Sequence, residues 1–307
     1  MKYSNIFKTV STLKAVNFIP LAASITLTFF ANVKAQETGP QPQQPAEQQG
    51  EFVAPMPGAG MEHDWKLSVG LATLYMPAFN GSKDYQAMVI PDIKVEYQDV
   101  FFASLFGGVG YNVINGDGWR AGPIAKLDFG RQEDDSNPFR VAGKKTRALK
   151  GLGDVSIAPE LGGFVEYSFD PFSYSLEVRQ AVGGHKGVVA DIGAQYMGMT
   201  APFGQQVIYM IGPQATFASA KYTNAYFGID AKQSAGSGLA RYKADAGLVS
   251  YGVGAFVITP VTDALSLGLM ARYDRLGPEA TDSPLIRQRG RRNQFMAGLR
   301  LIYEFGF

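Results

Sequence analysis

The chain has 307 residues, a formal net charge of +1, no cysteine and only two histidines. The balanced charge gives no attraction to nucleic acid, and the lack of cysteine excludes disulfide scaffolds, cysteine-ligated zinc and thiol chemistry. The 36 glycines, 21 phenylalanines and 15 tyrosines, with few helix-periodic runs, favour an all-β protein.

Residues 1–35 are organised like a secretory signal peptide. Three lysines form a basic region, and an apolar stretch of about a dozen residues follows, which is too short to span a bilayer. Small residues before Gln36 predict cleavage between Ala35 and Gln36. We therefore expect this segment to be removed and to take no part in the fold.

Residues 36–62 are rich in Gln, Pro and Gly, with no large aromatic residue before Phe52. Such a composition cannot bury enough apolar surface to order itself, so it predicts a disordered tail in the periplasm. The tail is either a plain linker or a tether for a partner protein.

From Trp65 onward the chain repeats one unit, an alternating apolar and polar run followed by a turn. Tilted strands that cross a bilayer need roughly 9 to 11 residues each, and the runs have suitable lengths. Eleven segments follow the pattern, at residues 66–76, 89–97, 100–114, 119–130, 156–169, 172–182, 188–199, 206–217, 247–259, 264–275 and 295–307.

The last segment has one apolar face and ends on an aromatic residue. Leu299, Leu301, Tyr303, Phe305 and Phe307 share that face. An outward apolar face with interfacial aromatic residues is typical of outer-membrane barrels. The segment also resembles the C-terminal signal by which the bacterial barrel assembly machinery recognises its substrates.

The connections between segments alternate in size. Those at residues 169–172, 201–204 and 260–263 are short, whereas residues 131–155, 218–246 and 276–293 form long polar loops. This is the pattern of short periplasmic turns and long extracellular loops, so residues 63–307 are predicted to form a transmembrane antiparallel up-and-down β-barrel. Single-chain bacterial barrels have an even number of strands, so we predict twelve, with ten as the alternative. The missing strand would lie in the N-terminal third or in a loop such as residues 239–245.

The face that points into the predicted barrel carries charges of both signs. They either pair into a network that fills the lumen or line a narrow polar pore. The principal members are Glu160, Glu166, Glu177, Arg179, Arg272, Asp274, Arg300 and Glu304.

No catalytic, cofactor or metal site is predicted. His185 lies in a Gly-rich loop without a nearby Ser, and we interpret it as an ordinary loop residue. A second loop is strongly basic, with Arg287, Arg289, Arg291 and Arg292 before the last strand. It is either a solvated loop or a contact for lipopolysaccharide phosphates, which suit guanidinium groups.

The chain resembles the MipA/OmpV family of outer-membrane proteins (MltA-interacting protein). The resemblance depends on the order and spacing of motifs over most of the barrel. These motifs lie at residues 76–82, 89–91, 95–97, 226–229 (Y-F-G-I), 233–239, 273–276 (Y-D-R-L) and 282–285 (D-S-P-L).

The resemblance implies an integral protein of the Gram-negative outer membrane without catalytic residues. It further implies a scaffold that joins a lytic transglycosylase to a penicillin-binding synthase in peptidoglycan growth. Our hypothesis is therefore a non-enzymatic scaffold of the cell envelope. A narrow channel for small solutes or an adhesin is the alternative.

Overall fold

The computed structural model describes residues 64–306 and the backbone of two short segments before them. These segments, β1 (Asn17–Leu21) and β2 (Gln49–Val53), pair with each other as a separate antiparallel sheet. The predicted cleavage site at Ala35 and the C-terminal Phe307 lie outside the described residues. The signal peptide, the disordered tail and the role of Phe307 therefore stay predictions.

Residues 65–306 form a closed antiparallel β-barrel of twelve strands, as predicted. Each strand pairs with the next along the chain, and the last strand pairs with the first to close the barrel. The strands are β3 (Trp65–Pro77), β4 (Tyr85–Tyr97), β5 (Phe101–Ser104), β6 (Gly108–Tyr111), β8 (Trp119–Asp128), β10 (Ala158–Phe169), β11 (Phe172–Ala181), β12 (Val188–Thr200), β13 (Val207–Ala218), β14 (Gly247–Pro260), β15 (Leu265–Leu276) and β16 (Asn293–Gly306). Two short strands, β7 (Ile114–Gly116) and β9 (Arg140–Ala142), add to the edges of β8 and β4.

The twelfth strand comes from residues 100–114, which we had predicted to be one strand. The run instead folds into the hairpin of β5 and β6. The Gly107 N–H donates to Ser104 Oγ at 2.6 Å, and Gly108 takes a φ of +77°, which favours glycine. The other candidate, residues 239–245, contains no strand and only the isolated bridge between Ile229 and Tyr242.

The outward face of the barrel is apolar along its strands. On β16, the outward Leu299, Leu301, Tyr303 and Phe305 are 45 to 48% exposed. A continuous apolar surface of this kind would be unfavourable in water and suits the hydrocarbon core of a membrane.

One end of the barrel carries short turns, and the other carries long loops with helices. These helices are α1 (Ala220–Phe227), α2 (Ala231–Ser237), α3 (Pro278–Thr281) and α4 (Pro284–Arg289). Across residues 64–306, no helix is long and apolar enough to cross a membrane.

The long loops, which we predicted to be polar, share a hydrophobic core. Apolar residues such as Leu149, Phe227 and Leu285 pack there against Val189 and Leu276 at the ends of barrel strands. These apolar residues are scattered singly among polar ones, so no periodic pattern reveals them. We call α1 to α4 and the loop at residues 131–155 the cap, because together they cover the long-loop end of the lumen.

Candidate functional site

The lumen contains two regions of different chemistry. The first, which we call the charged cluster, lies on β8, β10, β11 and β12 and in the loop between β11 and β12. Its members are Lys126, Asp128, Glu160, Glu177, Arg179, His185 and Asp191, all buried except the half-buried Asp191.

Strand register brings the charged cluster together. Lys126 lies opposite Glu160 on the neighbouring strand, and Glu177 lies opposite Asp191. Since side chains alternate across a sheet, these positions all point into the barrel. Their proximity therefore follows from pairing between strands that are distant in sequence.

Arg179 is the central cation of the charged cluster. Its Nε lies 2.7 Å from Glu160 Oε2, and its Nη2 lies 2.9 Å from Asp191 Oδ2. Its Nη1 also contacts Glu177, whose Oε1 lies 2.5 Å from Lys126 Nζ. One guanidinium thus binds three carboxylates, which uses its planar set of donors fully.

His185 belongs to the charged cluster, so our interpretation of it as an ordinary loop residue is wrong. The side chain is buried, with Nε2 3.0 Å from Glu160 Oε1 and 3.4 Å from Asp128 Oδ2. Its ring packs edge-on against Tyr222 of the cap, with 4.9 Å between ring centroids. No local feature of the sequence indicates these contacts, because the two carboxylates lie 57 and 25 residues away along the chain.

The cap is joined to the charged cluster by hydrogen bonds. The Tyr226 hydroxyl donates to Asp128 Oδ1 at 2.8 Å, and Arg131 Nη1 donates to the Tyr226 carbonyl oxygen at 2.6 Å. Burial raises the pKa of Tyr226 well above its usual value, so the hydroxyl keeps its proton for Asp128. Burial lowers the pKa of Arg131 to about 10, which leaves it charged at neutral pH.

The second region of the lumen, which we call the methionine band, is apolar. One row of it runs in register across seven strands, from β12 through β16 to β3 and β4. That row is Met197, Met210, Phe256, Met270, Gly298, Leu74 and Met88. Met76, Met296, Ile208 and Ile258 lie in the same buried cluster. Methionines on the inward face of several strands were visible in the sequence and could have indicated an apolar lumen.

Two ion pairs lie beside the apolar residues of the methionine band. Arg300 Nη2 lies 2.7 Å from Asp92 Oδ2, and the Arg300 guanidinium lies over the rings of Phe106 and Phe256. Arg272 Nε lies 2.5 Å from Asp274 Oδ2. Gln214 also lies within hydrogen-bond distance of this pair, with Nε2 3.3 Å from Asp274 Oδ1.

The family of the chain follows from comparison with known proteins. The family model described as MltA-interacting protein MipA matches residues 69–305, which span the barrel from β3 to β16. The chain belongs to the MipA family. The barrel is therefore an outer-membrane barrel, and its predicted family is confirmed.

Among individual proteins, this MipA-family chain is similar to the outer membrane protein Omp26La of Vibrio anguillarum. The two are 29% identical over 90 residues, which cover 29% of this chain and 33% of that relative. The match thus spans about a third of the relative's length.

Two solved structures resemble the barrel weakly. An outer membrane channel from Pseudomonas putida F1 gives a TM-score of 0.42 at 13% identity, covering 82% of this chain and 100% of that one. The β domain of the Bordetella autotransporter BrkA gives 0.36 at 11% identity, covering 79% and 100%. Scores this low say nothing of function.

The predicted lumen charges of this MipA-family barrel all lie on inward positions. Beyond those already described, Glu166 is buried 4.0 Å from Arg120, and Glu304 is half-buried near the short-turn end. Neither residue belongs to the charged cluster or to the methionine band.

The four arginines of the basic loop have different surroundings. Arg289 donates to the carbonyl oxygens of Ala148 and Ser237 and so holds parts of the cap together. Arg287, Arg291 and Arg292 are exposed at the long-loop end.

Proposed function

We propose that this MipA-family barrel is a non-enzymatic scaffold that holds peptidoglycan enzymes at the outer membrane. The family description names MltA, a lytic transglycosylase, and we propose an enzyme of that class as the first partner. A penicillin-binding synthase is the second partner that a scaffold of this kind would join.

The observation that carries the proposal is the filled lumen. The charged cluster and the methionine band bury their side chains inside the barrel, and the cap covers the long-loop end. A small barrel filled by side chains is a packed body rather than an open conduit. Its accessible surfaces are then the lipid-facing wall, the two ends and the N-terminal tail.

The tail leaves the barrel at the end where we propose that the partners bind. Lys66 at the start of β3 pairs with Gly306 at the end of β16, so both termini of the barrel lie at the short-turn end. We place this end in the periplasm, where enzymes that act on peptidoglycan work. The tail and the short turns would then form the docking surface.

A binding measurement with a purified lytic transglycosylase tests the scaffold. The chain from Gln36 and a form lacking residues 36–61 are each placed in lipid nanodiscs. We expect the longer form to retain the enzyme and the shorter form to bind it at least tenfold more weakly, on the order of 1.4 kcal/mol. A variant with Arg287, Arg291 and Arg292 changed to Ser is the control, because these residues lie at the opposite end.

Failure of both forms to retain either class of peptidoglycan enzyme would contradict the scaffold. A narrow channel for small solutes is the competing function. It requires an open path through side chains that are buried against one another, and conductance measures it directly.

We further propose that the three exposed arginines contact lipopolysaccharide phosphates. The same triple Ser variant tests this contact through the lipopolysaccharide that co-purifies with the barrel. Unchanged co-purification would mean that the arginines are only solvated.

A further inference from the structure

Three atoms that could bind a metal ion, one imidazole nitrogen and two carboxylate oxygens, converge in the lumen beneath the cap. They are His185 Nε2, Asp128 Oδ2 and Glu160 Oε1, and all lie within 4.8 Å of one another. The nitrogen is 3.0 Å from the Glu160 oxygen and 3.4 Å from the Asp128 oxygen. Donors around a tetrahedral zinc ion, with bonds of about 2.0–2.1 Å, stand roughly 3.4 Å apart.

The remaining oxygen of each carboxylate is already held by the protein. Asp128 Oδ1 accepts from the Tyr226 hydroxyl at 2.8 Å and from the Gly130 N–H at 2.7 Å. Glu160 Oε2 accepts from Arg179 Nε at 2.7 Å. Outer hydrogen bonds of this kind orient metal ligands, and here they direct the other oxygen of each group towards His185.

The charged cluster also carries more negative than positive charge. It contains four carboxylates, Asp128, Glu160, Glu177 and Asp191, against the two cations Lys126 and Arg179. With a neutral His185 its formal charge is therefore −2. Buried charges are costly unless they are compensated, and one divalent cation would compensate both.

We propose that His185, Asp128 and Glu160 form a binding site for one divalent cation of the zinc class. An imidazole with two carboxylates suits zinc, and a water molecule would complete four-coordination. The cation would join β8, β10 and the loop between β11 and β12. Through Tyr226 it would also fasten the cap to the barrel.

Cation binding changes the proton on the His185 ring. Nδ1 accepts from the Gly187 N–H at 3.0 Å, so in the metal-free protein the ring proton lies on Nε2, between the carboxylates. The cation takes the place of that proton, and the ring then carries its proton on Nδ1. The Gly187 N–H must turn away from Nδ1, and this rearrangement lowers the affinity below that of a preformed site.

Zinc titration of the folded barrel tests the site. The chain from Gln36 is folded in detergent free of lipopolysaccharide, stripped with a chelator and titrated with zinc sulfate. We expect one zinc ion per chain, and Co²⁺ in its place should give the visible absorption of a tetrahedral complex. Binding should also shift the amide resonance of Gly187.

Three substitutions test the location of the zinc. His185→Gln and Asp128→Asn should each weaken binding at least tenfold, and Tyr226→Phe should weaken it by about tenfold through the orientation of Asp128. His63→Gln is the matched control, because His63 is the other of the two histidines and precedes the first barrel strand in the sequence. The zinc affinity of the His63→Gln variant should equal that of the unmodified chain.

Heat-modifiable migration on a gel shows that each sample is folded. A folded wild-type barrel that binds no zinc overturns the proposal, whatever the variants do. So does zinc binding that His185→Gln leaves unchanged, or that His63→Gln abolishes. If His185→Gln does not fold, the wild-type stoichiometry, the cobalt spectrum and Asp128→Asn decide the outcome.

Discussion

The charged cluster and the methionine band fill the same barrel in opposite ways. In the charged cluster, each group depends on particular partners, as Arg179 does on three carboxylates. In the methionine band, flexible apolar side chains fill the space between strands. The same inward alternation of strands therefore produces one region that depends on specific pairs and another that depends on volume.

The two regions should also differ in how much stability a substitution removes. Removing one member of a buried ion network leaves the remaining charges without a partner. The free energy that was spent to bury those charges is then no longer offset by their attraction to that partner. Changing the shape of an apolar side chain lowers the stability only to the extent that its neighbours cannot repack around the new side chain. We expect the charged cluster to be brittle and the methionine band to be tolerant.

The largest effect is expected from Arg179→Met. This change leaves Glu160, Glu177 and Asp191 without their shared cation and should lower the free energy of unfolding by about 3–5 kcal/mol. Urea titration in detergent, followed by the fluorescence of the two tryptophans, measures the loss. Arg287→Met, at an exposed position, is the control and should change the stability little. If Arg179→Met lowered the free energy of unfolding only slightly, the charged cluster would be no more sensitive to substitution than the methionine band.

A pair of substitutions at Met210 tests the tolerance of the methionine band. Met210 is 1% exposed and lies between Met197 and Phe256 in the row. Met210→Ala creates a cavity and should cost about 2–5 kcal/mol, whereas Met210→Leu keeps the volume and should cost less than about 1.5 kcal/mol. The same urea titration compares them. If Leu were as harmful as Ala, the band would require methionine itself rather than its volume.

A smaller loss than that of Arg179→Met is expected where the cap meets the charged cluster. Tyr226→Phe removes the hydroxyl that donates to the buried Asp128 carboxylate and should cost about 1.5–3 kcal/mol. Tyr174→Phe, on the lipid-facing wall, is the matched control. Protection of cap amides from hydrogen exchange should fall in Tyr226→Phe only. Equal protection in both variants would show that the cap is held by its hydrophobic core alone.

The fold was largely predictable, because strand alternation is a local property of the sequence. The run predicted at residues 264–275 alternates without interruption and forms β15 (Leu265–Leu276), which differs from the predicted limits by one residue at each end. The prediction of a single strand at residues 100–114 was wrong, because a Gly-rich hairpin of two short strands keeps the alternation of one long strand. The signal that we missed was the pair Gly107 and Gly108 at the centre of that run.

The site was less predictable, because it depends on contacts between strands. Inward charges on β10, β11 and β16 could be identified from their parity. Their partners could not, since Arg179 meets Glu160 and Asp191 only through the register of three strands. His185 was missed for the same reason, as its neighbours come from other elements. A single residue in a loop carries no local mark of what packs against it.

Conductance across a planar bilayer tests most directly whether the lumen is filled, as expected of a barrel that serves as a scaffold. The folded chain from Gln36 is inserted into a bilayer, with a general porin in the same bilayer as the positive control. A filled lumen should give no discrete, reproducible conductance steps, while the porin conducts. Reproducible steps from the folded barrel would contradict a filled lumen and would favour a narrow channel instead.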